Sequence, residues 1–434
     1  MQYLLDLVRR HKAGEAVGIH SVCSAHPLVI EAAVETARAR ALPLLVEATS
    51  NQVNQDGGYT GMTPDAFRDF VHGIADRAGL ARSQVLLGGD HLGPNAWQHL
   101  SAEEAMARAE VLIERYVTAG FRKIHLDCSM SCAGDPVPLA DDTVAARAAR
   151  LCAVAERAWH AAGGEAPVYI VGTEVPVPGG AHEDLQELAV TTPDAARATI
   201  EAHRAAFAAA GLEAAWPRAI GLVVQPGVEF DHHKVIDYRA GQALALSRFI
   251  EDVPGMVFEA HSTDYQTTAR LAELVRDHFA ILKVGPGLTF ALRETLWALA
   301  DIEHEMNGGG DGTGFKATVL EVMRSEPGYW RKYYHDAGRA RFDQQYSLSD
   351  RIRYYWPHPA IQAAQERLLA SLARTPPPLT LLSQYLPAQY EAVREGRLRN
   401  LPADLIKEGV ARVLRQYIDA CTAGVATKEL EQCL

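Results

Sequence analysis

The sequence predicts a (β/α)8 TIM barrel followed by a helical C-terminal extension. Three observations carry that expectation. Eight short apolar runs, rich in β-branched residues, recur along the chain as far as about Leu299. The segments between them have helical period. Nearly every run ends in a polar residue, as in parallel barrels, which carry their chemistry at the C-terminal ends of the strands. A doubly wound open sheet is the alternative; the count of eight and the polar strand ends put it behind.

The runs are Val17–Ala25, Pro43–Asn51, Gln84–His91, Lys123–Met130, Val168–Pro176, Ala219–Gly227, Met256–Thr263 and Phe279–Gly287, each bounded by Gly, Pro or polar turn residues. Pro64–Ala78 reads as a helix because Thr63 can cap it and Pro64 suits its first position. Ser101–Gly120 opens with a capping box, Ser101 and Glu104, and stops at Gly. Thr192–Gly211 opens with Thr-Pro and also ends at Gly. The barrel is expected over residues 1–305 and the extension over 306–434. The Gly cluster Met306–Phe315 has no strand before it and no closing Lys-Ser/Thr, so it reads as a mobile loop rather than a phosphate loop. Thr375–Leu379 is a stiff Pro-rich connection.

Composition narrows the function classes. The 434 residues carry a net charge of −12, which argues against nucleic acid and anionic membrane surfaces as partners. No stretch reaches the ~18 apolar residues of a membrane span. The six Cys are dispersed without a C-x-x-C pair, which fits a reducing compartment. Asp6 interrupts the apolar run at the N-terminus and basic residues follow it, so no signal peptide is expected there. A cytoplasmic homo-oligomer is expected.

The strand ends supply the candidate site. In order they offer Glu47, Asp90-His91, Asp127, Glu174, Gln225 with Glu229, Glu259 with His261, and Lys283. Glu47, Asp90, His91, Glu174 and His261 are expected to converge on one mouth. Histidines beside carboxylates at a strand-end rim suit a divalent metal, Zn first and Mn, Co or Ni otherwise. Such a metal polarises a sugar carbonyl and stabilises an enolate, while a neighbouring carboxylate moves the proton. Asp90 is the candidate proton-transfer group, paired with Glu174 or Glu47. Adjacent strand residues point to opposite faces, so Asp90 and His91 can share the mouth only where the strand frays. His125 reads as a packed residue behind the site, and His232-His233 as solvated loop residues. Lys283 is a Schiff-base candidate in principle, and equally a charge partner for Glu174 or Glu229 or a carbonyl-polarising contact. For an anionic group, Ser262, Thr263, Gly285 and Gly287 lie in the loops after strands seven and eight, the usual phosphate position in barrels, with Asp264 arguing against it. Arg351 and Arg353 in the extension offer further forks for phosphate, or glue the extension to the barrel.

Long stretches of the chain resemble the GatZ/KbaZ family, the accessory subunits of class II D-tagatose-1,6-bisphosphate aldolase. They include SVCSAHPLVIEAA (Ser21–Ala33), EATSNQVNQDGGYTGMTP (Glu47–Pro64), GGDHLGPNAW (Gly88–Trp97), KIHLDCSMSCAGDP (Lys123–Pro136), GTEVPVPGG (Gly172–Gly180), EAHSTDYQT (Glu259–Thr267) and YSLSDRIRYYWPH (Tyr346–His358). The resemblance implies a (β/α)8 barrel, a role in galactitol or amino-sugar breakdown, and a separate catalytic aldolase subunit as partner. It also implies a second activity class, since some relatives look like ketose or ketose-phosphate 4-epimerases that break and remake the C3–C4 bond. The catalytic class II aldolases are more distantly similar. Their Asp-His pair, proton donor and zinc ligand, looks like Asp90-His91; their DGS looks like Asp127-Cys128-Ser129; and their strand-five Glu looks like Glu174. Their strand-seven His matches His261. Gln225 stands where they carry a strand-six His, which implies a mixed site of His91, His261, Glu174 and Gln225.

Overall fold

The computed structural model describes residues 1–173, 188–310, 312–336 and 338–432, with side chains described as far as residue 424. Its strands are β1 (Ile19–Val22), β2 (Leu44–Thr49), β3 (Val85–Leu92), β4 (Lys123–Leu126), β5 (Val168–Val171), β6 (Ala219–Val224), β7 (Glu229–Phe230), β8 (Val235–Ile236), β9 (Val257–Ala260) and β10 (Ile281–Val284). Eight of them close into a parallel barrel in the order β1-β10-β9-β6-β5-β4-β3-β2. This is the expected (β/α)8 architecture. The two-residue strands β7 and β8 form an antiparallel hairpin inserted after β6. Strands that short have no hydrophobic period, and the sequence did not announce them.

The helix signals behave as capping chemistry requires. Thr63 accepts from Ala66 N at the start of Pro64–Ala78, and Gly79 ends that helix at φ 74°. Ser101 and Glu104 form the capping box of Ala102–Thr118. Thr192 caps Pro193–Ala209. These helices bury their apolar faces on the outside of the barrel, where Val46, Phe67, Leu112, Ile124, Leu222 and Phe258 belong to one cluster.

A second cluster fills the floor of the barrel. The N-terminal helix Gln2–Lys12 packs Leu4, Leu7 and Val8 against Ile19, Leu45, Leu86, Val257 and Ile281, and so closes the N-terminal ends of the strands. Each of those strand residues begins an inward-facing column with period two. On β1, β2, β9 and β10 the next inward positions are polar, Ser21, Glu47, Glu259 and Lys283; β4 adds Lys123, and Asp90, His125 and His261 lie beyond them. The apolar floor thus gives way to a charged layer at the mouth.

After β10 the chain is helical. Pro286–Met306 is followed in sequence by the Gly cluster and then by Phe315–Ser325. The last helix, Pro402–Gln432, packs against Pro27–Ala39, Thr268–Arg276 and Pro286–Met306. The segment before Trp356 is pinned over the mouth: Leu348 N donates to His232 O at 2.9 Å and Tyr265 OH to Leu348 O at 2.5 Å. Thr289 Oγ1 donates to Asp350 Oδ2 at 2.6 Å. Among the described residues no helix is long and apolar enough to cross a membrane.

Candidate functional site

The mouth is built on a chain of buried ion pairs. Lys123 Nζ lies 2.8 Å from Glu47 Oε1 and 2.6 Å from Glu259 Oε2, with no solvent exposure at any of the three. Lys283 Nζ lies 2.9 Å from Glu47 Oε2 and 3.1 Å from Asp90 Oδ2. Ser21 Oγ donates to Glu47 Oε1 at 2.6 Å. Glu47 is therefore held from three sides. Lys123 and Lys283 both stay charged: burial lowers each, but Glu259 and Glu47 around Lys123, and Asp90 and Glu47 around Lys283, outweigh it.

Above this layer stand three imidazoles, His91, His125 and His261, with ring centroids 4.9 to 5.3 Å apart. Each pairs one ring nitrogen with a buried carboxylate. His91 Nδ1 lies 2.7 Å from Asp127 Oδ2, His125 Nδ1 2.9 Å from Asp90 Oδ1, and His261 Nε2 2.9 Å from Glu259 Oε1. That pattern orients a metal-ligating imidazole and leaves the opposite nitrogen for the ion. The opposite nitrogen of His125, Nε2, is buried without a hydrogen-bond partner. Ligand atoms of Asp90, His125, Glu259 and His261 all lie within 4.8 Å of one another. Burial lowers the pKa of His261 to about 4, against the pull of Glu259 and Asp90, which keeps its lone pair free near neutral pH. For Asp90, burial works upward, but His91, Lys283 and His125 hold it well below the usual carboxylate range. The mouth gathers four carboxyl groups, Glu47, Asp90, Asp127 and Glu259, around two lysines and the imidazoles, and Asp90 and Asp127 raise the pKa of His91 against its burial. The residues present fit a divalent cation.

Asp90 and His91 reach the same mouth through the backbone. His91 sits in the left-handed region at φ 46°, and the pairing of β3 with β4 shifts register between Gly89 and Leu92. This bulge re-aims the second side chain, as bulges beside active sites do. Asp127 is aimed by Ser129, whose N and Oγ donate to Oδ1 at 3.1 and 2.6 Å.

A family model for the D-tagatose-1,6-bisphosphate aldolase subunit GatZ/KbaZ-like matches residues 4–422. The chain belongs to the GatZ/KbaZ-like family. A crystal structure of a "probable tagatose 6 phosphate kinase" from Sinorhizobium meliloti 1021 is 52% identical, with a TM-score of 0.85 over 93% of this chain and 100% of that one. The YdjI aldolase of Escherichia coli K12 is a distant likeness at 14% identity and a TM-score of 0.41, covering 89% of this chain and 98% of that one.

In this GatZ/KbaZ-like chain the mouth cavity is lined by Asp90, His91, His261, Ser262, Lys283, Gly285 and Arg353, joined by Cys23, Tyr59, Phe230, Asp264 and Tyr354. Glu47 lies beneath it as a fully buried partner of both lysines. Other expected residues are placed elsewhere. Gln225 turns its Oε1 into its own loop, accepting from Gly227 N and Val228 N at 2.8 and 3.0 Å. Thr263 is fully buried and donates to Lys283 O at 2.5 Å, so it clasps two strand ends. Gly285 and Gly287 give their N–H groups to Asp264. Arg351 donates to Tyr329 O at 2.8 Å and stacks on Tyr333, away from the mouth cavity. Glu174 lies outside the described residues. Lys123 and the direct part played by His125 were missed from sequence. Their signal was parity, since both share the inward face of β4 with Asp127.

Proposed function

We propose that this chain performs metal-dependent aldol-type chemistry on a ketohexose or its phosphate at the barrel mouth, as a D-tagatose-1,6-bisphosphate aldolase subunit in galactitol or amino-sugar catabolism. The observation that carries this reading is the set of three imidazoles, each oriented by its own buried carboxylate. His125 and His261, with His91 or Asp90, are the residues to hold the ion. A bound divalent cation supplies Lewis-acid stabilisation of developing negative charge. The chain's own residues do the rest. Asp90 takes the hydroxyl proton from the carbon whose bond to its neighbour breaks, and returns it on re-formation. Lys283 keeps Asp90 ionised and near the substrate. The buried Glu47–Lys123–Glu259 array fixes both ends of that assembly without moving during turnover.

A second reading is a ketohexose or ketohexose-phosphate 4-epimerase, which cleaves C3–C4, rotates the aldehyde fragment and rejoins it. It is favoured by the presence of acid–base and metal-ligating groups together in one chain. The accessory reading instead pairs the chain with a catalytic class II aldolase subunit. Incubating the purified chain with fructose, fructose 6-phosphate and tagatose 1,6-bisphosphate, with and without divalent metal, separates them. A metal-dependent 4-epimer identifies the epimerase. No conversion, together with slower decay of an aldolase partner, identifies the accessory subunit. In elemental analysis His125→Ala and His261→Ala are expected to lose most of the metal that wild type retains. Equal, near-zero metal in all three proteins would sink the metal assignment.

A further inference from the structure

The loops after β9 and β10 meet at the N-terminus of the helix Pro286–Met306. In barrels this junction is the usual seat of a substrate phosphate, because N–H groups free of helix partners point outward there. Here the protein fills the seat itself. Asp264 Oδ1 accepts from Gly285 N at 2.9 Å and from Gly287 N at 2.7 Å. Asp264 is 3% exposed and borders the same cavity as Asp90, His261 and Lys283. The fit is tight: a Cβ on Gly287 would stand 3.0 Å from Asp264 Oδ1. A phosphate arriving at this end meets a carboxylate and finds the amide donors already used.

Arg353 borders both the mouth and an adjoining chamber of about 360 Å³, whose walls include His26, Met62, Phe70 and Trp356. Cys23, Gln52 and Tyr59 are shared between the two spaces. Trp356 Nε1 and His26 Nδ1 are buried without hydrogen-bond partners.

We propose that Asp264 is a specificity-determining residue that admits only a hydroxyl-bearing sugar terminus at the Gly285–Gly287 end of the mouth. The chain then takes a ketose with one phosphate or none, turns a single phosphate toward Arg353 and the chamber, and rejects a bisphosphate whichever way round it enters. The inference rests on the second reading above, a 4-epimerase acting on a free ketohexose or its monophosphate, and names the substrate class within it.

Titration calorimetry with fructose, fructose 1-phosphate, fructose 6-phosphate, tagatose 1,6-bisphosphate and inorganic phosphate tests it on wild type, Asp264→Asn and Asp264→Gly. Wild type is expected to bind the bisphosphate at least tenfold more weakly than the better monophosphate. Asp264→Gly, which opens the seat, closes that gap and gains at least tenfold in affinity for inorganic phosphate. Asp264→Asn keeps the shape and removes the charge, so it narrows the gap at least threefold; it decides the matter should the glycine variant fail to fold. Wild type binding the bisphosphate as tightly as the monophosphates overturns the proposal, as does an unchanged gap in a folded variant. If no sugar binds at all, the ketose reading has failed by itself. Inorganic phosphate then still decides: a gain in Asp264→Gly supports a seat filled by Asp264, and no gain overturns it.

Discussion

Asp90 touches Lys283, His125 and, at 3.7 Å, His91 Nε2, so one carboxylate joins the ammonium layer to the imidazoles. Asp90→Asn keeps the shape and one acceptor oxygen for His91 N and His125 while removing the base. Its turnover is expected to fall about 10²–10⁴-fold, the usual worth of a positioned general base, with the thermal transition retained. Metal loss in parallel would reassign Asp90 as a ligand. Glu229 tests a different group, beside the mouth rather than in it. Burial pushes its carboxyl up to about 7 from 4.5, although the Phe230 N–H and Ser262 pull the other way. An acid raised by folding lends stability that is fully present below pH 4.5 and is lost as pH rises through about 7. The loss is about 3 kcal/mol across that window. Glu229→Gln is therefore expected to be more stable than wild type at pH 8 and to lose that advantage by pH 5, in paired thermal melts. Equal differences at both pH values would remove the assignment.

Between β3 and β4 the geometry depends on glycine. A Cβ on Gly93 would stand 1.7 Å from the Asp127 carbonyl oxygen, a backbone atom that cannot rotate aside. Gly93→Ala is expected to cost about 3 kcal/mol or more in denaturant unfolding, the upper range for overpacking. It should also lower activity, because Asp127 aims His91. A fully stable, fully active Gly93→Ala would mean that the close approach of the two strands is dispensable. This part of the site was only half legible beforehand. The Asp90-His91 pair stood out at a strand end, yet period two places neighbours on opposite faces. The bulge and the left-handed His91 resolve that conflict, and neither has a single-residue signature. On β4, by contrast, Lys123 and His125 were readable by parity with Asp127, and only their partners were hidden.

The extension belongs to the same core as the barrel. Leu405, Ile406, Val410, Leu414 and Tyr417 of the last helix are essentially fully buried, and Tyr417 OH donates to Thr263 O at 2.8 Å beside the mouth. Each buried side chain of this size contributes about 1.5–3 kcal/mol. Five together rival the ~5–15 kcal/mol total stability of an ordinary domain. A chain ending at Leu401 is expected to lose its cooperative thermal transition and its near-ultraviolet circular dichroism. A truncated chain that melts cooperatively near the wild-type temperature would make the extension an appendage.

The eight strands and the capped helices follow from local pattern alone, because period two, period 3.6 and cap chemistry are all set within a few residues. The inward strand ends are local in the same sense, and they were enough to nominate Glu47, Asp90, His91, His261 and Lys283. Which charge meets which partner is not local. Lys123 on β4 stands between Glu47 on β2 and Glu259 on β9, because the closed barrel brings inward residues of non-neighbouring strands together across its interior, at heights set by its stagger. Tertiary structure likewise turned Gln225 into its own loop and set Asp264 on the amides of Gly285 and Gly287. An unfilled N–H at a helix end takes whichever acceptor the fold brings within 3 Å, and closure of the whole barrel decides which acceptor that is.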